Sequence, residues 1–476
     1  MTSGSDPSAI RPEVAQMQAR AAVCNALMGG TQAMRLEGAK YLPQEHFEDS
    51  EEWAARMAKT TLFPAFKDAV DSMTGKPLGK PILLEGVAPS IEDALEDADL
   101  AGRDLDSFAR AWFRQSLVDG IGWVLVDYPR VPQGATLKQE RDIGARPYLV
   151  HIPLVAVCGW KTEIVGGVLR LTQFRWKEIA EEADGEFGTK TVKRIKVWEP
   201  GEVRAYVMVE GEWTLDAESS GPVTIDYIPI VCFAPGRTGY FTAVPPLEEL
   251  AWLNILHWQS SSDQRNILHY ARSPVFAADN LPEELPRDKD GNPVVKIGPS
   301  NMFIGYKNLR YVEHSGAAIG AGRQDLGDLE ARMSVIAGRV LTRENGPDSS
   351  ATESALKAKD GSSKLRQWAW DFQDRLEEVL IYMAAWTGEA MPQGIVKLSD
   401  EWDERLEPAF LATALQARTA GQISQRTWLY IAQKYDMLPN GVTIDDEISQ
   451  LGAEGPEPLG ASIDRIPLSQ GRANAI

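Results

Sequence analysis

An α+β fold is predicted by three features of the chain. Residues 120–235 hold short apolar or alternating runs, separated at Asp184-Gly185, Pro200-Gly201 and Glu210-Gly211, the pattern of antiparallel strands joined by turns. Helical periodicity dominates before that section, at 12–28, 51–72 and from 105. It dominates again afterwards, at 247–271, 326–340 and 365–386. Strands gathered in one stretch with helices on either side argue for segregated rather than alternating elements.

The 476 residues amount to about three domains' worth of chain. With 43% hydrophobic and 25% charged residues, 14 Trp and a mean hydropathy of −0.26, the material for large cores is present and wholesale disorder is excluded. The longest uncharged runs, 21–34 and 147–160, have 14 residues each, short of the ~20 apolar residues of a membrane-spanning helix. The first ten residues carry neither a basic segment nor an apolar block, so no secretory signal is expected. Cys24, Cys158 and Cys232 are far apart and odd in number, which fits a reducing compartment and no disulfide framework. The five histidines never approach a metal-binding spacing.

Taken in order, Pro12 opens a helix that Gly29-Gly30 closes. A second covers 51–72, and the turn-rich 74–81 breaks the chain. Residues 84–106 hold eight carboxylates against Arg103 and read as a solvated helix face and loop. A helix from Leu105, with Phe108, Trp112, Phe113 and Leu117, leads into the buried-strand run 121–128. Extended segments follow at 147–152, 168–176, 191–198, 203–209 and 228–233. After Pro245-Pro246, residues 247–271 read as one helix whose middle, 259–266, has no apolar residue. Such a stretch faces water or a polar partner. Pro-rich 273–315 contains short extended pieces and, at Asp290-Gly291, a hairpin signal. Leu326, Leu329, Met333, Ile336 and Val340 form one narrow apolar seam, with Arg323, Asp325, Asp328, Arg332 and Arg339 on other faces. The polar loop 342–350 follows. The capping-box pattern Ser350-Ala-Thr-Glu353 then opens a long helix lined by Leu365, Trp368, Phe372, Leu376, Val379, Met383 and Trp386. Two short helices flank Gly421, and 451–476 thins into a tail.

The net charge is −19, from 68 acidic and 49 basic residues. A protein that grips DNA displays a basic surface, because phosphate neutralisation supplies most of the affinity. This chain either ignores nucleic acid or stays near it without sticking. Enzyme motifs are weak. Ser354-Ala-Leu-Lys357 matches S-x-x-K without either partner motif of the serine acyltransferases. The run 316–322, Gly-Ala-Ala-Ile-Gly-Ala-Gly, has the small residues that bring backbone close to phosphate, but it lacks the Lys-Ser/Thr ending of a phosphate loop and no strand-then-helix unit surrounds it.

In their order and spacing, these pieces resemble the portal (connector) proteins of tailed bacteriophages over about residues 40–450. Residues 120–129, Gly-Ile-Gly-Trp-Val-Leu-Val-Asp-Tyr-Pro, followed by Arg146-Pro-Tyr-Leu149, resemble the start of that family's α+β wing. Pro245-Pro-Leu-Glu-Glu-Leu-Ala-Trp-Leu-Asn254, running into the polar 259–266, is similar to its first stem helix. Gly421-Gln-Ile-Ser-Gln-Arg-Thr427 resembles a helix start near its crown.

The resemblance implies a tail and helix at 1–40, a wing with an antiparallel sheet at 41–244, a first stem helix at 245–272 and a small α/β clip at 273–315. It further implies a second stem helix at 316–341, a tunnel loop at 342–350, a long wing helix at 351–387, a short α-helical crown at 388–450 and a flexible tail at 451–476. It implies a homo-dodecameric ring at one capsid vertex, assembled in the host cytoplasm. Double-stranded DNA passes through such a ring during packaging and ejection. Its implied partners are the major capsid protein, the terminase large subunit and head-completion (adaptor) proteins, with no membrane, cofactor, metal or catalysis of its own. Arg343, Glu344, Asn345 and Asp348 would be the tunnel-loop groups facing DNA, and Gln259, Asp263, Arg265, Arg323 and Arg339 would line the stem. The alternatives are a non-portal capsid or adaptor protein, or a serine hydrolase using Ser354 and Lys357.

Overall fold

The first helix, α1 (Pro12–Met28), begins at its proline as expected, but Gly29-Gly30 do not release the chain. Gly30 adopts φ +72° and the backbone turns there into a further helix, α2 (Gly30–Glu37). The helix predicted over 51–72 is likewise two: α3 (Ser50–Lys59) and α4 (Ala65–Gly75). Pro64 biases Phe63 away from helical dihedrals, and residues 60–63 run without helical structure. Asp49 caps α3, its carboxylate accepting from the Glu51 and Glu52 amides at 2.9 and 2.7 Å.

The acidic stretch is not merely solvated. It forms β1 (Leu83–Glu85) and α5 (Pro89–Leu95), whose Ile91, Ala94 and Leu95 are buried. In the following turn Asp97 accepts from the Gly102 amide and from Arg146, both at 2.7 Å, while Asp99 accepts from the Ala101 amide at 3.0 Å. Its carboxylates hold the loop in shape.

From α6 (Leu105–Asp119) the chain enters a three-stranded antiparallel sheet, β3 (Tyr148–Ile152), β2 (Gly122–Asp127) and β9 (Ile230–Phe233), in that order. Between β3 and β9 lies a five-stranded meander: β4 (Val157–Val165), β5 (Val168–Asp184), β6 (Gly188–Glu199), β7 (Glu202–Val209) and β8 (Glu212–Pro222). The three dipeptide turns read from the sequence join β5 to β6, β6 to β7 and β7 to β8. Two strands go beyond the sequence reading, β4 and β8, and the single sheet expected over 120–235 is two. Trp123 and Leu125 of β2, Phe174 and Trp176 of β5, Trp198 of β6 and Val14, Met17 and Ala21 of α1 share one apolar core.

The long helix α9 (Ala351–Thr387) is anchored by a ring cluster. Phe372 meets Trp112 and Phe113 of α6 at 4.9 and 5.1 Å and Phe233 of β9 at 4.8 Å. Its Leu365, Trp368, Leu376, Val379 and Met383 are buried, as the seam predicts. Trp386 is only half-buried and donates its indole N–H to the Val126 carbonyl at 2.9 Å.

The computed structural model describes residues 6–129, 144–271, 275–277, 310–312, 316–341, 351–388, 394–399, 408–434, 444 and 447–450. The chain divides into two compact units, Met1–Ser399 and Asp400–Ile476. In the second, α10 (Pro408–Thr419) and α11 (Gln425–Lys434) flank Gly421, and Ser424 caps α11 by accepting from the Thr427 amide at 3.1 Å. Among the described residues no helix is long and apolar enough to cross a membrane. The Asp290-Gly291 turn and the extended pieces at 293–297 and 302–306 lie outside the described residues.

Candidate functional site: a helical hairpin

The chain leaves the sheets through a narrow passage. A Cβ on Gly120 would lie 2.6 Å from the Val244 carbonyl, and one on Gly236 would lie 1.7 Å from the Val244 oxygen. Only glycine at both positions lets Val244 through, its amide donating to the Gly236 carbonyl at 2.9 Å. Pro245-Pro246 follow, and α7 (Glu248–Ala271) starts at once. Arg20 of α1 pairs with Glu248, donating from Nε to both carboxylate oxygens at 3.1 and 3.0 Å. A carboxylate in the first turn also suits the positive end of the helix dipole.

Three polar side chains of α7 bind it to its surroundings. Asn254, fully buried, accepts from the Phe66 amide at 3.0 Å and donates to the Phe63 carbonyl at 2.9 Å, capping α4 from a distance in sequence. Pro64 at the head of α4 supplies no side-chain cap of its own. Gln259 is half-buried and donates to the Tyr41 carbonyl at 3.0 Å. Ser262, fully buried, sits 2.9 Å from the Thr60 hydroxyl.

Arg56 of α3 is the centre of this contact. Its side chain is 4% exposed and grips Glu48 with two hydrogen bonds of 2.6 and 2.7 Å. It also donates to the Pro43 carbonyl at 2.9 Å, and to Ser262 Oγ and Asp263 Oδ1 at 3.3 Å each. The guanidinium holds the Glu48 carboxyl below the ordinary carboxylate range, chiefly through those hydrogen bonds. Burial pushes the Asp263 carboxyl up, against the pull of Arg56 and helped by the carboxylates of Glu45 and Glu48. The polar middle of α7 therefore meets a polar partner within its own chain. At Ser262 and Asp263 that partner is Arg56, while Arg265 of the same block faces solvent.

The partner along its length is α8 (Ala317–Leu341). Gln264 donates to the Ile319 carbonyl at 2.9 Å, and His257, seven residues earlier, meets Glu330 at 3.2 Å. Descending numbers on one helix against ascending numbers on the other make the pair antiparallel. Of the glycines at 316, 320 and 322, Gly322 alone meets the facing helix. A Cβ on Gly322 would lie 2.1 Å from Oε1 of Gln264. Leu329 and Met333 are buried, whereas Ile336 of the same seam is 39% exposed. Beyond the two helices, Val275, Phe276 and Ala277 pair antiparallel with Val312, Tyr311 and Arg310 as a two-stranded ribbon.

A model described as Domain of unknown function (DUF4055) matches residues 246–387, which run from the start of α7 to the end of α9. No curated protein matches. Among solved structures, a chain from the neck of an empty GTA particle, computed with C6 symmetry, is similar at 13% identity and a TM-score of 0.41, over 82% of this chain and 90% of that one. A chain from the virion of a native gene transfer agent (GTA) particle has 15% identity and a TM-score of 0.39, over 79% and 90%. One from the neck of a native GTA particle, computed with C12 symmetry, has 15% and 0.38, over 78% and 89%.

Of the residues assigned to a stem lining, Gln259 and Asp263 turn toward α3 and its flanking loop, as above. Arg265 is exposed and borders a cleft of about 430 Å³ shared with Arg56, Glu48 and His269. Arg323 is exposed at the start of α8, and Arg339 lies in α8 with its side chain outside the described residues. Arg343, Glu344, Asn345 and Asp348 lie outside the described residues, as do the side chains of Ser354 and Lys357 in α9. Among the described residues, no group of three or more His, Cys, Asp or Glu is placed to hold a metal ion.

Proposed function

We propose that this chain is the portal subunit of a tailed bacteriophage or a phage-like particle, forming a ring of twelve at one vertex of the capsid. The observation that carries the reading is the antiparallel hairpin of α7 and α8. It is rooted in the sheet-bearing unit at Val244, extended by the ribbon at 275–277 and 310–312, and followed by α9, which returns into the core of that unit. A hairpin rooted at one end, with charges along α8 and exposed apolar side chains at Trp252, Leu256, Val335 and Ile336 to meet a neighbour, is suited to stand as one stave of a channel wall.

Electrostatics supports the same use. Arg323, Asp325, Asp328, Glu330 and Arg332 are exposed on α8, both signs interspersed. With a net charge of −19, a wall of this kind offers a polyanion few places to release counterions and bind, so duplex DNA slides rather than sticks. In this reading double-stranded DNA moves through the bore in packaging and ejection. The terminase large subunit, the major capsid protein and head-completion proteins dock on the ring, and the chain itself catalyses nothing. Arg343, Glu344, Asn345 and Asp348 are the proposed constriction, with Arg265, Arg323 and Arg339 on the wall.

Native mass measurement of the purified full-length protein tests this. Twelve copies of a 52.4 kDa chain weigh on the order of 630 kDa when head-to-tail contacts close. A monomer at every salt and protein concentration overturns the reading. Deleting 345–348 is expected to leave the ring intact while impairing DNA packaging or retention. Normal packaging and retention would remove the constriction from the account.

A further inference from the structure

The hairpin of β5 and β6 outruns its sheet. β4 pairs with β5 only as far as Trp176, and β7 pairs with β6 only from Arg194 onward. Residues 179–184 and 188–193 therefore pair with each other and, among the described residues, with no other strand. This two-stranded arm has two open edges and projects about 20 Å at the usual rise per residue. Ile179 is 71% and Phe187 94% exposed.

The two edges carry opposite charge. Glu181, Glu182 and Asp184 lie on the β5 strand of the arm and Lys190 and Lys193 on its β6 strand, with Lys177 and Glu178 at the foot of β5 and Arg194 at the foot of β6. Glu182 is taken up within the arm by Lys190 at 3.3 Å and Arg194 at 2.5 Å, and Glu178 by Lys196 at 3.3 Å. Glu181 and Asp184 on one edge, and Lys193 on the other, have no ion-pair partner among the described residues. An open edge is a template for pairing with a further strand, and charge decides which strand is admitted. Acidic against acidic and basic against basic are repelled, which excludes a two-fold pairing of like edges. Only the acidic edge of one arm against the basic edge of another is left, a head-to-tail contact.

We propose that the β5–β6 arm pairs edge to edge with the same arm of a second copy of this chain, acidic edge to basic edge. This contact deepens the ring reading and rests on it for the presence of the second copy.

Charge reversal at residues that make no pair within the arm tests the proposal. One full-length variant carries Glu181→Lys with Asp184→Lys, and the other carries Thr189→Glu with Lys193→Glu. All four positions are exposed, so unchanged thermal unfolding of each variant separates loss of pairing from loss of folding. Self-association, followed by sedimentation velocity over a concentration series, is expected to weaken by on the order of tenfold or more in each variant alone. An equimolar mixture is expected to recover it, because one variant presents two basic edges and the other two acidic ones. Variants that assemble like the wild type, or a mixture that recovers nothing, overturn the edge contact and leave the ring reading standing. A wild type that stays monomeric throughout overturns both. Charge-dependent association into particles without a bore keeps the edge contact and removes the ring.

Discussion

Gln264 and Gly322 occupy the same space from opposite sides of the helical hairpin. The Gln264 side chain crosses the Cα of Gly322, where a Cβ would lie 2.1 Å from Oε1, and donates to the Ile319 carbonyl three residues earlier. The hydrogen bond ties α7 to the first turn of α8.

Two glycines of α8 are therefore expected to respond differently to the same change. Nothing lies within 4 Å of a Cβ on Gly327, so Gly327→Ala is expected to stabilise by about 1 kcal/mol through helix propensity alone. Gly322→Ala gains the same term but displaces Gln264 and forfeits its hydrogen bond, about 1 kcal/mol, so the two nearly cancel. Gly322→Leu, which must push the helices apart, is expected to destabilise by about 1–3 kcal/mol. Denaturant unfolding of the three variants checks the order.

Arg56 is expected to be the most sensitive position in the contact between α3 and α7. Truncation to Ala strands the buried Glu48 carboxylate, at a cost of about 3–5 kcal/mol. Lys is a poor replacement, since an ammonium cannot reproduce the two-pronged grip on Glu48 while reaching Pro43 and Ser262. Unfolding midpoints of Arg56→Ala and Arg56→Lys, with Glu48→Gln as the complementary change, measure this.

His151 is expected to withdraw stability between pH 6.5 and pH 4. The carboxyls of Asp119, Asp127 and Asp263, whose pKa values burial raises, oppose it there. Burial, helped by Arg103, lowers the His151 pKa from 6.5 to about 4 in the folded chain. Between those values the unfolded chain binds a proton that the folded chain refuses, so this contribution rises with pH across the window and is lost as pH drops through it. The whole window corresponds to roughly 3 kcal/mol. Glu48 adds a loss of the same sign at lower pH. Its folded pKa is depressed below 4.5, so its contribution is present above that value and disappears as pH falls through the folded one. The midpoint for His151→Leu is expected to rise less with pH than that of the wild type between pH 4 and 6.5, and to be unchanged in slope below.

The cysteines are expected to be unreactive in the folded protein. Burial pushes the thiols of Cys24 and Cys232 up to about 12 and raises that of Cys158, leaving little thiolate at pH 8. Alkylation with iodoacetamide is expected to be slow in native buffer and rapid in guanidinium. Fast native labelling at Cys24 would contradict the packing of α1.

Much of this fold was legible in the sequence because its strongest signals are local. Asp184-Gly185 and Pro200-Gly201 mark real hairpins, and the Leu365–Met383 periodicity marks a real buried face. What escaped has identifiable reasons. β8 carries charge, Gly221 and Pro222, features an edge strand tolerates and an alternation test rejects. The break at Pro64 was hidden by apolar periodicity continuing on either side. At the hairpin, the all-polar block 259–266 pointed to water or a polar partner, and the sequence could not say that Arg56, some two hundred residues earlier, reaches Ser262 and Asp263. The glycines at 316–322 read only as a phosphate-binding backbone, and nothing local marks Gly322 as the one that meets Gln264.

Many copies are expected to close around an open bore with the α7–α8 hairpin in its wall. An electron micrograph of the purified assembly viewed down its axis tests this most directly. A closed ring with an open central channel wide enough for duplex DNA is predicted. Particles without a hole, or only monomers, would contradict it.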